Sequence, residues 1–220
     1  MGKGKIIVIE GACDGIGKST QYMLLEKHLL GKGEVVIKHH FPSYDTYHGK
    51  GVENYLRGEF GSPGELSPYF VNNLYAYDRA VAWYSSLKKE YDEGNTILLD
   101  RYATSSLIYQ AASIEGEENK KAFLDYVYDL EYNKIGIGKP DQVIFLFAPF
   151  DLVTNMRNAR KVNDGVENDV HERDLSFMKK VYDTAVFVAN YFGWDIVECS
   201  NEDNMKSIEE IRENIIKIVK

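Results

Sequence analysis

Short apolar runs and longer amphipathic stretches alternate along this chain. The run Lys5-Ile-Ile-Val-Ile-Glu10 predicts a first strand, and Gln21–Leu30 continues with helical spacing. After a turn at Gly31–Gly33, Glu34–His39 reads as a second strand. Phe41-Pro42 breaks the pattern, Gly49–Gly58 predicts a short helix, and Gly61-Ser-Pro-Gly64 a loop. Ser67–Asp92 predicts one long helix stopped at Gly94. Phe70, Leu74, Tyr77, Val81, Tyr84 and Leu87 recur along it at three- and four-residue spacing, which predicts a buried stripe. Thr96–Asp100 is the third strand, followed by helices at Ala103–Ser113 and Asn119–Glu131. A turn at Gly136–Asp141 leads into a fourth strand, Gln142–Ala148. Phe150–Arg160 predicts a helix that runs into a polar segment, Lys161–Asp169. Glu172–Phe192 is again helical, Asp195–Cys199 is the fifth strand, and Ser207–Lys220 closes the chain as an amphipathic helix. This order predicts a three-layer α/β/α fold on a five-stranded parallel sheet. With no repeat, low-complexity tract or linker, one domain over residues 1–220 is expected, with a mobile lid at about 150–170.

Composition narrows the function classes. The chain has 220 residues, 44% of them hydrophobic and 27% charged, as expected for a globular protein with a substantial core. A net charge of −8 argues against a nucleic-acid polymer as partner, while an anionic small ligand needs only a local cationic pocket. No apolar run is long enough to predict a membrane span, and the N-terminus enters a strand without a signal-peptide pattern. Cys13 and Cys199 make neither a disulfide framework nor a metal cluster. A reduced, cytoplasmic protein is expected.

The first strand runs into Gly11-Ala-Cys-Asp-Gly-Ile-Gly-Lys-Ser-Thr20 and then a helix. Strand, glycine loop and helix start together make a phosphate-binding P-loop. Glycines let backbone N–H groups converge on an anion, and the helix N-terminus adds a favourable dipole. Lys18 would reach the β- and γ-phosphates and Ser19 would hold Mg²⁺. Five residues separate Gly11 from Gly17, where the usual pattern has four. Either one residue is inserted around Ala12–Cys13, or Ala12 stands where glycine is expected.

In open α/β sheets, ligands bind at the carboxyl ends of strands. Phe41–Tyr44 follows the second strand, and Asp100-Arg101 ends the third. Arg101 brings a planar, permanently charged fork suited to phosphate, and Asp100 stands where a second Mg²⁺ ligand is expected. Tyr75 and Arg79, spaced i, i+4 and off the apolar stripe, could present a ring and a fork to a base; from spacing alone an exposed aromatic–cation pair is favoured. Arg157, Arg160 and Lys161 read equally as lid cations or as a solvated helix end.

Taken together these residues resemble the thymidylate kinase family. The resemblance spans nearly the whole chain. It rests on Glu10-Gly11, Asp14-Gly-Ile-Gly-Lys-Ser-Thr-Gln21, Phe41-Pro42, Leu74-Tyr-Ala-Tyr-Asp-Arg79, Asp100-Arg-Tyr-Ala-Thr-Ser-Ser106, Tyr109-Gln110, Lys139-Pro-Asp141 and His171-Glu-Arg-Asp174. It implies transfer of the ATP γ-phosphoryl to thymidine 5′-monophosphate (dTMP), with Mg²⁺ as cofactor. ATP would lie against Gly11, Asp14, Gly15, Ile16, Gly17, Lys18, Ser19 and Thr20. Asp14 would also touch the deoxyribose 3′-hydroxyl. Phe41-Pro42, with a cis peptide, would form the bend beside the acceptor phosphate, which Tyr44 and Arg101 would bind. Tyr75 would stack on thymine, Arg79 and Ser106 would read its edge, Tyr109 would close off the sugar 2′ position, and Gln110 completes the acceptor site. Arg157 or Arg160 would reach the phosphates in flight, and two copies would pair through their long helices. Ser43 stands where many members carry arginine, and Asn168-Asp169 replaces an Asp-Arg pair often found near the lid's end.

Two rivals differ by single features. A deoxynucleoside kinase needs a carboxylate base after the second strand, and Phe41-Pro-Ser-Tyr44 offers none. Outside enzymes, the altered loop also fits a nucleotide switch or a catalytically silent P-loop protein; a guanine-type switch needs Asn-Lys-x-Asp, and Asn133-Lys-Ile-Gly136 lacks the final acid.

Overall fold

The computed structural model describes residues 3–12, 15–61, 65–155, 175–201 and 204–219. Five strands, β1 (Lys5–Gly11), β2 (Val36–His40), β3 (Thr96–Asp100), β4 (Gln142–Phe147) and β5 (Asp195–Glu198), pair in parallel in the order β2-β3-β1-β4-β5. The most apolar run in the chain thus occupies the middle of the sheet. Its alternate residues serve two cores. Ile6 and Val8 pack with Ala82, Trp83 and Leu87, while Ile7 and Ile9 pack with Leu25, Leu29, Val181 and Ile215. Burial on both faces is why this strand reads as a continuous apolar run. Each fully buried aliphatic side chain contributes about 1.5–3 kcal/mol.

The helices are α1 (Lys18–Gly31), α2 (Lys50–Leu56), α3 (Pro68–Ala82), α4 (Lys88–Asp92), α5 (Ala103–Tyr109), α6 (Glu117–Tyr128), α7 (Leu175–Phe192) and α8 (Ile208–Ile218), with residues 150–155 also helical. The expected elements are present where described, with shifted ends; the end of the Phe150–Arg160 helix, the polar segment Lys161–Asp169 and the expected lid beyond residue 155 lie outside the described residues. Lys18–Thr20 joins α1, β2 begins at Val36, and the stretch after α5 tightens into a 3₁₀ turn at Ala111–Ser113. The strand pattern missed a short antiparallel pair, Ser200–Asn201 with Asn204–Met205. The helix α8 starts from a capping box, in which Ser207 and Glu210 satisfy each other's backbone N–H groups.

Two expectations are corrected. The long helix and the Asn119–Glu131 helix each run into a π-helical stretch, Trp83–Leu87 after α3 and Asp129–Ile135 after α6. The two stretches meet: the Tyr84 hydroxyl donates to the Ile135 carbonyl at 2.7 Å. A Cβ on Gly138 would come within 2.3 Å of the Trp83 ring, so the chain passes there only as glycine. The apolar stripe on α3 is also not the buried face. Phe70, Tyr77 and Tyr84 are 43%, 54% and 56% exposed, and of the stripe only Leu87 is buried. The buried face is instead Val71, Asn72, Ala76, Asp78, Arg79 and Ala82. The helix turns its polar residues inward because the site they build lies inside, which inverts the usual signal.

Candidate active site

At the end of β1, Gly11 is in register with Leu146, and the Ala12 N–H donates to the Leu146 carbonyl at 3.1 Å. Sheet pairing therefore continues through Ala12, and the loop proper starts beyond it. Cys13 and Asp14 lie outside the described residues. Gly15 and Gly17 have φ of 97° and 94°, a conformation that glycine alone adopts freely. Gly17 caps α1, whose first turn carries no acidic residue, so its N–H groups face the loop without a competing carboxylate. Ile16 is buried beneath the loop, and Ser19 is exposed at the helix start.

Lys18 reaches across to β3, with Nζ 3.0 Å from Asp100 Oδ1; the other oxygen of Asp100 is 3.1 Å from His40 Nδ1. Burial raises the Asp100 pKa, but the His40 hydrogen bond and the Lys18 charge outweigh it and hold the carboxyl well below the usual carboxylate range. Asp100 is thus an anionic hard ligand. No group of three or more His, Cys, Asp or Glu side chains suited to a metal occurs among the described residues. One hydroxyl and one carboxylate, Ser19 and Asp100, suit a hard cation that takes its remaining ligands from phosphates and water.

A cavity of about 270 Å³ runs from this point along the carboxyl ends of β2 and β3. Lys18, Ser19, Phe41, Pro42, Tyr44, Tyr75, Arg79, Asp100, Arg101, Ser106, Tyr109 and Gln110 all line it. It thus gathers residues that the sequence singled out on α1, α3, α5 and two strand ends. Gly11, Gly15, Ile16, Gly17 and Thr20 belong to the loop and its helix rather than to the cavity wall. The Phe41-Pro42 bond is cis. Asp78, fully buried on α3, ties this bend down: one oxygen accepts from the Ser43 N–H at 2.8 Å, and the other lies 2.7 Å from His48 Nδ1.

Two arginines enter the cavity, each backed by a glutamate. Arg79 is 1% exposed, not the surface residue its spacing suggests. Its Nε donates to Glu131 Oε2 at 2.6 Å, and its Nη2 donates both to Glu131 Oε1 and to the Ser106 hydroxyl. Arg101 holds a φ of 65°, unusual for a residue with a side chain and costing about 1–3 kcal/mol. Its guanidinium lies 5.3 Å from the Tyr109 ring centre, 3.4 Å from the Ser105 hydroxyl and 3.6 Å from Glu10. Glu10 itself is fully buried and accepts from Thr104, Ser105 and the Gly11 N–H.

Several of these partners had no role assigned from the sequence. Glu10 and Asp78 fall inside motifs of the resemblance, whereas Glu131 looks like an ordinary surface charge. His40, Tyr102 and Ser105 also line the cavity unpredicted. Arg157, Arg160 and Lys161, the proposed lid cations, lie outside the described residues.

A family model described as thymidylate kinase matches residues 9–215. Among solved structures, the chain is similar to thymidylate kinase from Candida albicans. The two share 23% identity, the match covers 98% of this chain and 91% of that one, and the TM-score is 0.73. At that identity the likeness speaks for the fold.

Proposed function

The chain belongs to the thymidylate kinase family, and from that premise we infer which of its residues perform the reaction. It transfers the γ-phosphoryl group of ATP to dTMP, giving dTDP and ADP. One observation carries the residue assignment: a single cavity joins the P-loop lysine to a buried donor–acceptor pair suited to a base. Four of the five Arg79 donors are engaged by Glu131, Ser106 and the Tyr102 carbonyl, which leaves one Nη1 proton. Among the described residues, no group donates to the buried Gln110 Oε1. A donor and an acceptor lining one cavity complement the 4-keto oxygen and N3–H of thymine. Tyr75, 5.9 Å from the Arg79 guanidinium, supplies a ring for stacking.

The acceptor supplies its own nucleophile. A monophosphate with a second pKa near ~6 is largely a dianion at neutral pH, so no general base is needed. An oxygen of dTMP attacks the γ-phosphorus in line, the bond to the β-phosphate oxygen breaks, and ADP leaves with the electron pair. The protein's task is to bring two anions together and neutralise charge on the group in transit. Lys18 exchanges Asp100 for the β- and γ-phosphates. Arg101 and Tyr44 take the acceptor phosphate, and Tyr109 blocks a ribose 2′-hydroxyl. Arg157 or Arg160 supplies a further cation, and Asp14 the 3′-hydroxyl contact.

The family generally uses a divalent metal with ATP. Here Mg²⁺, held by Ser19 and Asp100, would neutralise the β- and γ-phosphates. The exposed Phe70, Tyr77 and Tyr84, with Leu74 and Val81 between them, form an apolar face along α3 and the π-helical stretch after it, suited to a second copy of the chain. A homodimer through this face is expected, and Tyr77→Glu should convert it to monomer in sedimentation. Cys199 is a buried free thiol, in keeping with a reduced, cytoplasmic setting. Among the described residues no helix is long and apolar enough to cross a membrane.

A coupled ADP-release assay tests the assignment. Turnover is expected with dTMP but not with thymidine, and Lys18→Ala should lower kcat by about 10²-fold or more. Phosphorylation of thymidine in preference to dTMP would overturn it. Arg157→Ala and Arg160→Ala decide the lid: at least one should lose kcat while keeping its KM for dTMP.

A further inference from the structure

Glu131 does not line the cavity, yet both of its oxygens act on a residue that does. It lies in the π-helical stretch Asp129–Ile135, flanked by exposed or half-buried residues, and is itself fully buried. The wider helical turn is a local departure of the kind that re-aims side chains at functional sites. Here it directs a carboxylate at Arg79 across the fold, with a side-chain exposure of 0% against 1% for its partner.

A guanidinium has five donors in a rigid plane. Gripped through Nε and Nη2 by one carboxylate, and through Nη2 again by Ser106 at 2.9 Å, that plane cannot rotate. Nη1, itself 3.5 Å from the Tyr102 carbonyl oxygen, donates one proton there and presents the other in a fixed direction. We propose that Glu131 is a positioning residue: it fixes Arg79 as a single-donor reader and so makes the enzyme select a 4-keto over a 4-amino pyrimidine. The proposal rests on the assignment of Arg79 to the acceptor base. A fixed donor pairs with a keto oxygen and meets an amino group, itself a donor, with no acceptor to offer. A guanidinium free to turn could expose its edge to water or to the ring N3 of cytosine, and the discrimination would fade.

A merely structural role has a different signature. If Glu131 only neutralised a buried cation, its loss would lower the amount of folded enzyme and reduce activity on all acceptors alike. KM values and acceptor ratios would be unchanged. The test is steady-state kinetics of Glu131→Gln and Glu131→Asp with dTMP, dUMP, dCMP and ATP, alongside Arg79→Lys. In Glu131→Gln the KM for dTMP should rise about tenfold or more, with the KM for ATP within about twofold of the parent. The dTMP:dCMP ratio of kcat/KM should fall by about tenfold or more, and dUMP should follow dTMP. Glu131→Asp, which keeps the charge but withdraws it, should lie between. If Glu131→Gln does not fold by circular dichroism, the Asp variant decides on the same readouts. Unchanged dTMP KM and acceptor ratio in the folded variants would overturn the proposal. Should Arg79→Lys also leave the ratio intact, the base-reading assignment itself is wrong. A ratio lost in Arg79→Lys but kept in the Glu131 variants would refute the positioning role alone.

Discussion

The two arginine–glutamate pairs of the cavity use the same chemistry under opposite constraints. At the base end, Arg79 and Glu131 are both closed off from solvent and share two short hydrogen bonds, with Ser106 adding a third. At the phosphate end, Arg101 is 15% exposed, and its Glu10 partner is 3.6 Å away and already committed to Thr104, Ser105 and Gly11. A base is recognised by a pattern that must not move, so its reader is locked before the ligand arrives. A phosphate that approaches another phosphate needs a cation still able to change partners. A buried two-bond grip on Arg79 and a 3.6 Å contact from the partly exposed Arg101 to Glu10 match those two tasks.

The comparison can be broken at either end. The largest effect expected is on stability: Glu131→Ala leaves the Arg79 charge buried and unpaired, and should cost roughly 3–5 kcal/mol in chemical denaturation. A loss under about 1 kcal/mol would mean that the cation is relieved by water, and that the base end is no tighter than the other. Next comes Arg101→Ala, which should lower kcat/KM for dTMP by about 10²–10³-fold with little change in melting temperature. Equal losses on dTMP and dCMP would place it at the phosphate, whereas a base-dependent loss would blur the division between the ends. Glu10→Gln should cost about 1–3 kcal/mol, because three donors lose part of a buried acceptor. Its effect on kcat/KM should be the same for every pyrimidine acceptor tested. The smallest effect is expected of Tyr109→Ala, a several-fold narrowing of the preference for dTMP over its ribo counterpart, on the order of 1 kcal/mol. An unchanged preference would move sugar discrimination to another residue.

Much of this arrangement was legible in the sequence, for identifiable reasons. The five strands follow from apolar runs and glycine turns, because a parallel sheet buries both faces, but their order in the sheet does not. Lys18 and Asp100-Arg101 could be singled out because phosphate chemistry asks for those residue types at a strand end, and all three line the cavity. The long helix misled because Phe70, Tyr77 and Tyr84 carry the periodicity, while its inward face is built from Asn72, Asp78 and Arg79. Periodicity reports an apolar face but not what covers it. Glu131 could not be found at all from pattern: it faces Arg79, 52 positions away in sequence, through a π-helical turn that no local propensity announces.

Side-chain NMR of the arginine Nε–H groups, without and with dTMP, tests the contrast most directly. The Arg79 signal should be rigid on the ps–ns timescale in both states and protected from exchange in the free protein. Arg101 should be mobile when free and become ordered only with dTMP bound. An Arg79 that orders on binding, or an Arg101 already as rigid as Arg79 in the free protein, would contradict the division between a locked reader and a movable clamp.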